Sequence, residues 1–195
     1  MKTKYIMIAA FALTIAAQAF VPAKMVYDSE MTERQGTVFK FKTEPIDPAD
    51  PFRGKYVVLN YSAGTFETDD TEWNQGEVVY AVLGKDAQGF AKIVDVLRDT
   101  PQTGSTYITV KVSFYEGKKL YIDLPFNRFY MEESKAYEAE SGYREYSGQV
   151  NAKPAYALVA VQNGNAVLKD VIIDNIPVKN YVLRKRALDR QVRQK

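Results

Sequence analysis

Tyr156-Ala157-Leu158-Val159-Ala160-Val161-Gln162-Asn163-Gly164-Asn165-Ala166-Val167-Leu168-Lys169-Asp170-Val171-Ile172-Ile173 is the stretch that decides the fold class of this chain. Two apolar, β-prone runs, 156–161 and 166–173, flank Asn163-Gly164, and Asn-Gly between such runs is the strongest short-range hairpin signal. The pattern has an earlier counterpart. Residues 77–83 and 90–97 are joined through Gly84-Lys85-Asp86-Ala87-Gln88-Gly89, which also reads as a hairpin. At an offset of 75 residues, Gly89, Ala91, Asp95, Val96 and Asp99 fall on Gly164, Ala166, Asp170, Val171 and Asp174. With one gap, Tyr80-Ala81 falls on Tyr156-Ala157. Upstream, Tyr56-Val57-Val58-Leu59-Asn60-Tyr61 parallels Tyr121-Ile122-Asp123-Leu124-Pro125-Phe126. Matching pieces in the same order point to an internal duplication, each half running strand, loop, strand, excursion, hairpin.

The remaining segments agree with a β domain. From Thr37 the period is two, Val38, Lys40 and Lys42 alternating with Phe39 and Phe41. Tyr107, Thr109, Lys111 and Ser113 alternate with Ile108, Val110, Val112 and Phe114, and Glu116-Gly117-Lys118-Lys119 turns that strand into 120–124. The 14 Tyr and 10 Phe residues favour strands as well. Residues 63–76, with Glu67, Asp69, Asp70 and Glu72, read as an exposed acidic loop. Residues 131–141 are the helix candidate of the domain: Glu132 and Glu133 suit a positive helix start and Gly142 its end. Residues 176–183 read as an edge strand whose start Pro177 weakens. The fold expected is mainly β with one short helix in the domain, internally duplicated, and preceded by an N-terminal transmembrane helix.

That N-terminal helix rests on Lys2 and Lys4, followed by a 17-residue uncharged run, 5–21, that ends at Pro22 and Lys24. The run is just long enough to span a bilayer, and Ala17-Gln18-Ala19 also offers a signal-peptidase site. Either way the basic start stays in the cytoplasm and the domain is exported. The organisation expected is therefore 1–24 membrane anchor or signal peptide, 25–36 linker or short helix, 37–183 duplicated β domain (halves about 37–101 and 104–183), and 184–195 basic tail. The tail holds six basic residues and one acidic, a net +5 against +2 for the whole chain, so the rest carries −3. It reads as a solvated terminus. Export speaks against nucleic acid; the expected lipid contact is residues 5–21.

The chain has no cysteine and no histidine. That removes disulfides, thiolate nucleophiles, Cys/His zinc sites, and every mechanism with a histidine base. Oxygen-ligand sites survive. The candidate site residues lie in two places. Asp47, Asp50, Arg53 and Tyr56 belong to a loop stiffened by Pro45, Pro48 and Pro51 at the mouth of a strand. Arg128, Tyr130, Glu132 and Glu133 occupy the corresponding place in the second half. Arg53 and Arg128 are expected to approach a pseudo-twofold axis, with the glutamates as partners, across a seam lined by guanidinium and carboxylate groups. The structural alternative is an Asp–Arg network that locks the loop onto the sheet, with the glutamates capping a helix. The tyrosines read as half-buried strand residues rather than as a carbohydrate platform.

Taken together, Pro45-Ile46-Asp47-Pro48, Arg53-Gly54-Lys55-Tyr56-Val57-Val58-Leu59-Asn60-Tyr61 and Arg128-Phe129-Tyr130-Met131-Glu132-Glu133 resemble the signatures of the GDYXXLXY family of bacterial membrane-anchored proteins. Lys55 stands where the motif has aspartate. The resemblance implies an uncleaved N-terminal helix and a periplasmic domain on the cytoplasmic membrane, single-pass with its N-terminus inside. It points to a neighbouring polytopic membrane protein as partner, and it brings no established activity. The reading favoured by residues and resemblance together is a non-catalytic domain that binds a membrane-protein partner or ligand, without cofactor or metal. Two alternatives stand beside it: a carboxylate-based hydrolase of envelope glycan, and a Ca²⁺-stabilised binding module using Asp47, Asp50 and the acidic loop.

Overall fold

The computed structural model describes residues 2–44, 56–102, 104–130, 155–181 and 183–184. The proline loop 45–55, the helix candidate 131–141 and the basic tail beyond 184 lie outside these residues. The chain opens with one helix, α1 (Lys2–Gln35), 34 residues long. It is long and apolar enough to cross a membrane. Side chains such as Ile6, Phe11, Leu13 and Phe20 are exposed along it, an apolar surface of the kind that lipid would cover in a spanning helix. Pro22 sits inside and offers no N–H to the carbonyl one turn back. The helix nevertheless continues, so residues 25–35, expected as a linker or a short helix, are its last three turns. Pairs four residues apart, Lys24–Asp28 and Glu30–Arg34, support this polar part.

The end of α1 is docked rather than tethered. Asp28, Met31 and Thr32 share one face and are the covered positions of the last turns, with Thr32 only 2% exposed. The N–H of Gly36 donates to the Thr32 carbonyl at 2.9 Å, and Lys169 Nζ donates to the Glu33 carbonyl at 2.8 Å. Both acceptors belong to the last turn, whose carbonyls have no partner within the helix. Gly36 forms the whole elbow between helix and sheet. A Cβ there would lie 2.4 Å from the Thr32 oxygen and 3.0 Å from the Val161 backbone.

The strands that follow are β1 (Thr37–Glu44), β2 (Tyr56–Val58), β3 (Asn60–Tyr61), β4 (Thr65–Glu67), β5 (Val78–Lys85) and β6 (Ala91–Leu97). The second half supplies β7 (Tyr107–Glu116), β8 (Lys119–Asp123), β9 (Arg128–Tyr130), β10 (Tyr156–Gln162), β11 (Asn165–Ile173) and β12 (Ile176–Pro177). The expected edge strand over 176–183 is thus only two residues long; residues 178–181 and 183–184 turn helical. The turns of β7–β8, β10–β11 and β11–β12 each place two residues at positive φ: Gly117-Lys118, Asn163-Gly164 and Asp174-Asn175. Tight two-residue hairpins need that geometry to match strand twist. Gly164 is doubly constrained, because a Cβ would also meet Thr109 Oγ1 at 2.6 Å.

Two five-stranded antiparallel sheets result, in the orders β12-β11-β10-β1-β3 and β4-β8-β7-β5-β6, with β2 and β9 paired as a separate ribbon. Each sheet mixes strands of both halves. The halves interlock: each half lends its hairpin to the first strands of the other. The hairpin strands β5 and β10 would otherwise present long unpaired edges, and the exchange satisfies them. The correspondence between halves extends to register. Ala81 pairs with Ile108, and its counterpart Ala157 pairs with Phe41; all four are fully buried. Val94 is left unpaired by a bulge in β6, and Lys169, 75 residues on, by a bulge in β11. Immediately after each bulge an aspartate accepts a hydrogen bond from the next N–H, Asp95 from Val96 and Asp170 from Val171, both at 2.8 Å. Thr65 pairs with Tyr121, and the residues 65 further along in one case and 65 earlier in the other, Tyr130 and Tyr56, pair as well.

One hydrophobic core joins both sheets, built on Phe41, Leu59, Val79, Ile108, Leu120, Val159 and Ile173. The alternation seen in the sequence gives the faces: Phe39 and Phe41 point in while Val38, Lys40 and Lys42 point out, and Ile108, Val110 and Val112 point in while Thr109 and Lys111 point out.

Candidate functional site

The two signature segments of the sequence meet in the β2–β9 ribbon. Tyr56 pairs with Tyr130, Val57 with Phe129 and Val58 with Arg128. Phe129 is buried, so its neighbours Arg128 and Tyr130 project from the opposite face, Tyr130 with 65% of its surface exposed. Continuing past β2, Leu59 drops into the core, and its N–H donates to the Asn127 carbonyl at 2.8 Å. That bond ties the first signature to the turn that leads into the second.

Behind the ribbon, the place where corresponding residues of the halves touch is aromatic. Tyr61 and Phe126, 65 residues apart, pack edge to face at 5.2 Å, and Phe41 lies 5.9 Å from the first and 4.8 Å from the second. The Tyr61 hydroxyl donates to the Phe126 carbonyl at 2.9 Å. Edge-to-face triads of this kind stabilise beyond their buried area. Among the described residues, then, the seam is aromatic within and carries Arg128 at its rim. Of the other candidates, Asp47, Asp50, Arg53, Glu132 and Glu133 lie outside the described residues, and Tyr56 is placed by its backbone pairing.

The acidic excursion of the first half is not a loose loop. Arg98, at the end of β6, stacks over the Trp73 ring at 4.1 Å and donates from Nε to Glu77 (3.0 Å), from Nη1 to Asp70 (2.8 Å) and from Nη2 to the Glu72 carbonyl (2.8 Å). Trp73 Nε1 donates to the Asp70 carbonyl. The Arg98 guanidinium, with the Glu72 N–H, holds the Asp70 carboxyl below its ordinary range. The Asn74 N–H, helped by Arg98, does the same for Glu77, and Asp70 in turn raises Arg98. Asp69 pairs with Lys118 at 2.6 Å. These carboxylates are held by the protein's own cations, and among the described residues no three acidic groups gather closely enough to hold a metal ion. Sequence reading missed Arg98 because nothing in local spacing links it to partners 21 and 28 residues away.

A concavity of about 490 Å³ lies on the outer face of the β4-β8-β7-β5-β6 sheet next to the ribbon, lined chiefly by Val78, Lys111, Asp123, Leu124, Pro125 and Asn127. It too was passed over in the sequence, where Lys111 and Asp123 stand out only once the strand register is known.

A family model described as "GDYXXLXY protein" matches residues 18–171. That span takes in both signature segments, both hairpins and the end of α1. No curated protein and no solved structure matches the chain.

Proposed function

The chain belongs to the GDYXXLXY family, and from that premise we propose that it is a single-pass protein of the bacterial cytoplasmic membrane whose β domain, held outside the cytoplasm, binds a partner membrane protein without catalysis. The observation that carries this reading is the β2–β9 ribbon. It brings the two signature segments side by side, with Phe129 turned into the core and Arg128 and Tyr130 turned outward. Arginine and tyrosine are the side chains most enriched where interfaces concentrate their binding energy. The anchor supports the same reading. Lys2 and Lys4 ahead of the apolar run favour an inside N-terminus. The polar turns between Lys24 and the sheet span roughly 16 Å at 1.5 Å per residue, and their docking on β10–β11 fixes the height and heading of the domain over the bilayer. A binding face held that way meets a neighbour in the same membrane at little orientational cost. The matched bulges, aspartates and registers support descent of the two halves from one duplicated unit.

The test is Arg128→Ala in the full-length chain, followed by detergent extraction of native membranes and recovery of the bound membrane protein. Recovery should fall about tenfold, the effect of an interface anchor worth roughly 1.4 kcal/mol, while the melting temperature stays unchanged. Undiminished recovery with an intact fold overturns the reading.

A further inference from the structure

Two corners of the molecule occupy corresponding places and are finished differently. In the first half the corner comprises the end of β1, residues Leu59 and Asn60, and the short 3-10 turn Ser62–Gly64. There the polar groups serve the protein. Thr43 Oγ1 donates to the Ala155 carbonyl at 2.9 Å, and Ser62 Oγ to the Lys42 carbonyl at 3.4 Å. Thr43 is buried. The matching positions of the second half are Val110, Lys111, Asp123, Leu124, Pro125 and Asn127, and here the corner opens as the 490 Å³ cleft.

Val78, Lys111 and Asp123 form a straight row across β5, β7 and β8, each paired directly with the next. Opposite charges directly across an antiparallel pair ordinarily join. Among the described residues these two do not: neither Lys111 nor Asp123 makes an ion pair or a side-chain hydrogen bond. Both are exposed side by side at the cleft, with Val78 on the far side of Lys111 and with Leu124 and Pro125 following Asp123 along the chain. The Asn127 carbonyl accepts from the Leu59 N–H, and Asn127 itself is exposed where it lines the cleft. The cleft therefore offers an adjacent ammonium and carboxylate beside a small apolar surface, in a volume within the usual range for small-ligand sites.

We propose that this cleft binds an amino-acid zwitterion with an aliphatic side chain, free or as a dipeptide. Its carboxylate meets Lys111, its ammonium meets Asp123, and its side chain covers Val78 and Leu124. Charge-assisted pairs to both groups, with apolar contact beside them, recognise that class and reject analogues lacking either charge. The proposal does not involve Arg128 or Tyr130 and stands or falls apart from partner binding.

The experiment is calorimetric titration of the full-length protein in detergent micelles with L-leucine and with L-leucylglycine, and with N-acetyl-L-leucinamide as the uncharged counterpart. At least one charged probe should bind saturably and about tenfold or more tighter than the uncharged one. Lys111→Met and Asp123→Asn should each weaken that binding about tenfold, a loss of one good charge-assisted contact, with the melting temperature unmoved because both side chains are exposed. Absence of saturable binding by either charged probe in the millimolar range overturns the proposal. So does equal affinity for the uncharged probe, or affinity that survives both substitutions.

Discussion

The hairpins β5–β6 and β10–β11 carry the same bulge and use it differently. In the first, the unpaired residue is Val94, which packs over Gly84 so closely that a Cβ on that glycine would lie 2.5 Å from its methyl group. In the second it is Lys169, whose ammonium reaches the Glu33 carbonyl at the end of α1. The backbone device is common: one extra residue, then an aspartate that caps the next N–H. What differs is the side chain at the one position the bulge re-aims. The same contrast recurs at the corners, closed by Thr43 and Ser62 in one half and open between Lys111 and Asp123 in the other. Backbone geometry thus preserves the scaffold in both halves, while a few outward-turned side chains give the second half its contacts with the anchor and its cleft.

The largest expected effect concerns the core residues that the two halves place in equivalent register. Phe41→Ala should cost about 3–5 kcal/mol in denaturant unfolding of the full-length protein, as burial of a large aromatic without relaxation implies. Its counterpart, Ile108→Ala, should cost less, because Ile108 lacks the ring contacts that Phe41 makes with Tyr61 and Phe126. Equal losses at the two positions would break the comparison at its centre.

A smaller effect belongs to the first half alone. Arg98 lowers the folded pKa of Asp70, and the Asn74 N–H together with Arg98 lowers that of Glu77, so the stability these contacts contribute is fully present above the ordinary carboxylate range. It is lost as pH falls through the depressed folded values. Trp73 is the only tryptophan and lies under Arg98, so its fluorescence reports the event directly. Emission should shift on acidification below about pH 4, and Arg98→Met should produce the shifted emission already at neutral pH. The second half has no tryptophan and gives no such signal; an emission indifferent to both acid and Arg98→Met would show that the excursion is held by something else.

Much of this architecture was legible. Alternation assigned the faces of β1 and β7, Asn163-Gly164 located a two-residue turn, and the offset of 75 aligned the two hairpins, though not the bulge that each carries. Sheet membership was not legible, because the pairing of β5 with β7 and β10 with β1 is decided by unpaired edges far apart in sequence. The polar stretch 25–35 looked like a linker since its one covered face, Asp28, Met31 and Thr32, is too short to give a period. The site was half visible: the motif residues of β2 and β9 stood out by type, whereas Arg98, Lys111 and Asp123 acquire meaning only from strands that come together after folding.

Tyr130 and Thr65 are the corresponding residues of β9 and β4, each paired to a tyrosine of the other half and each exposed. A photoreactive phenylalanine analogue placed at one or the other in the full-length chain, and activated in native membranes, distinguishes a shared scaffold from a shared function. Crosslinks to a second membrane protein from position 130 and none from position 65 are the predicted result. Equal crosslinking from both positions, or none from 130, contradicts the account.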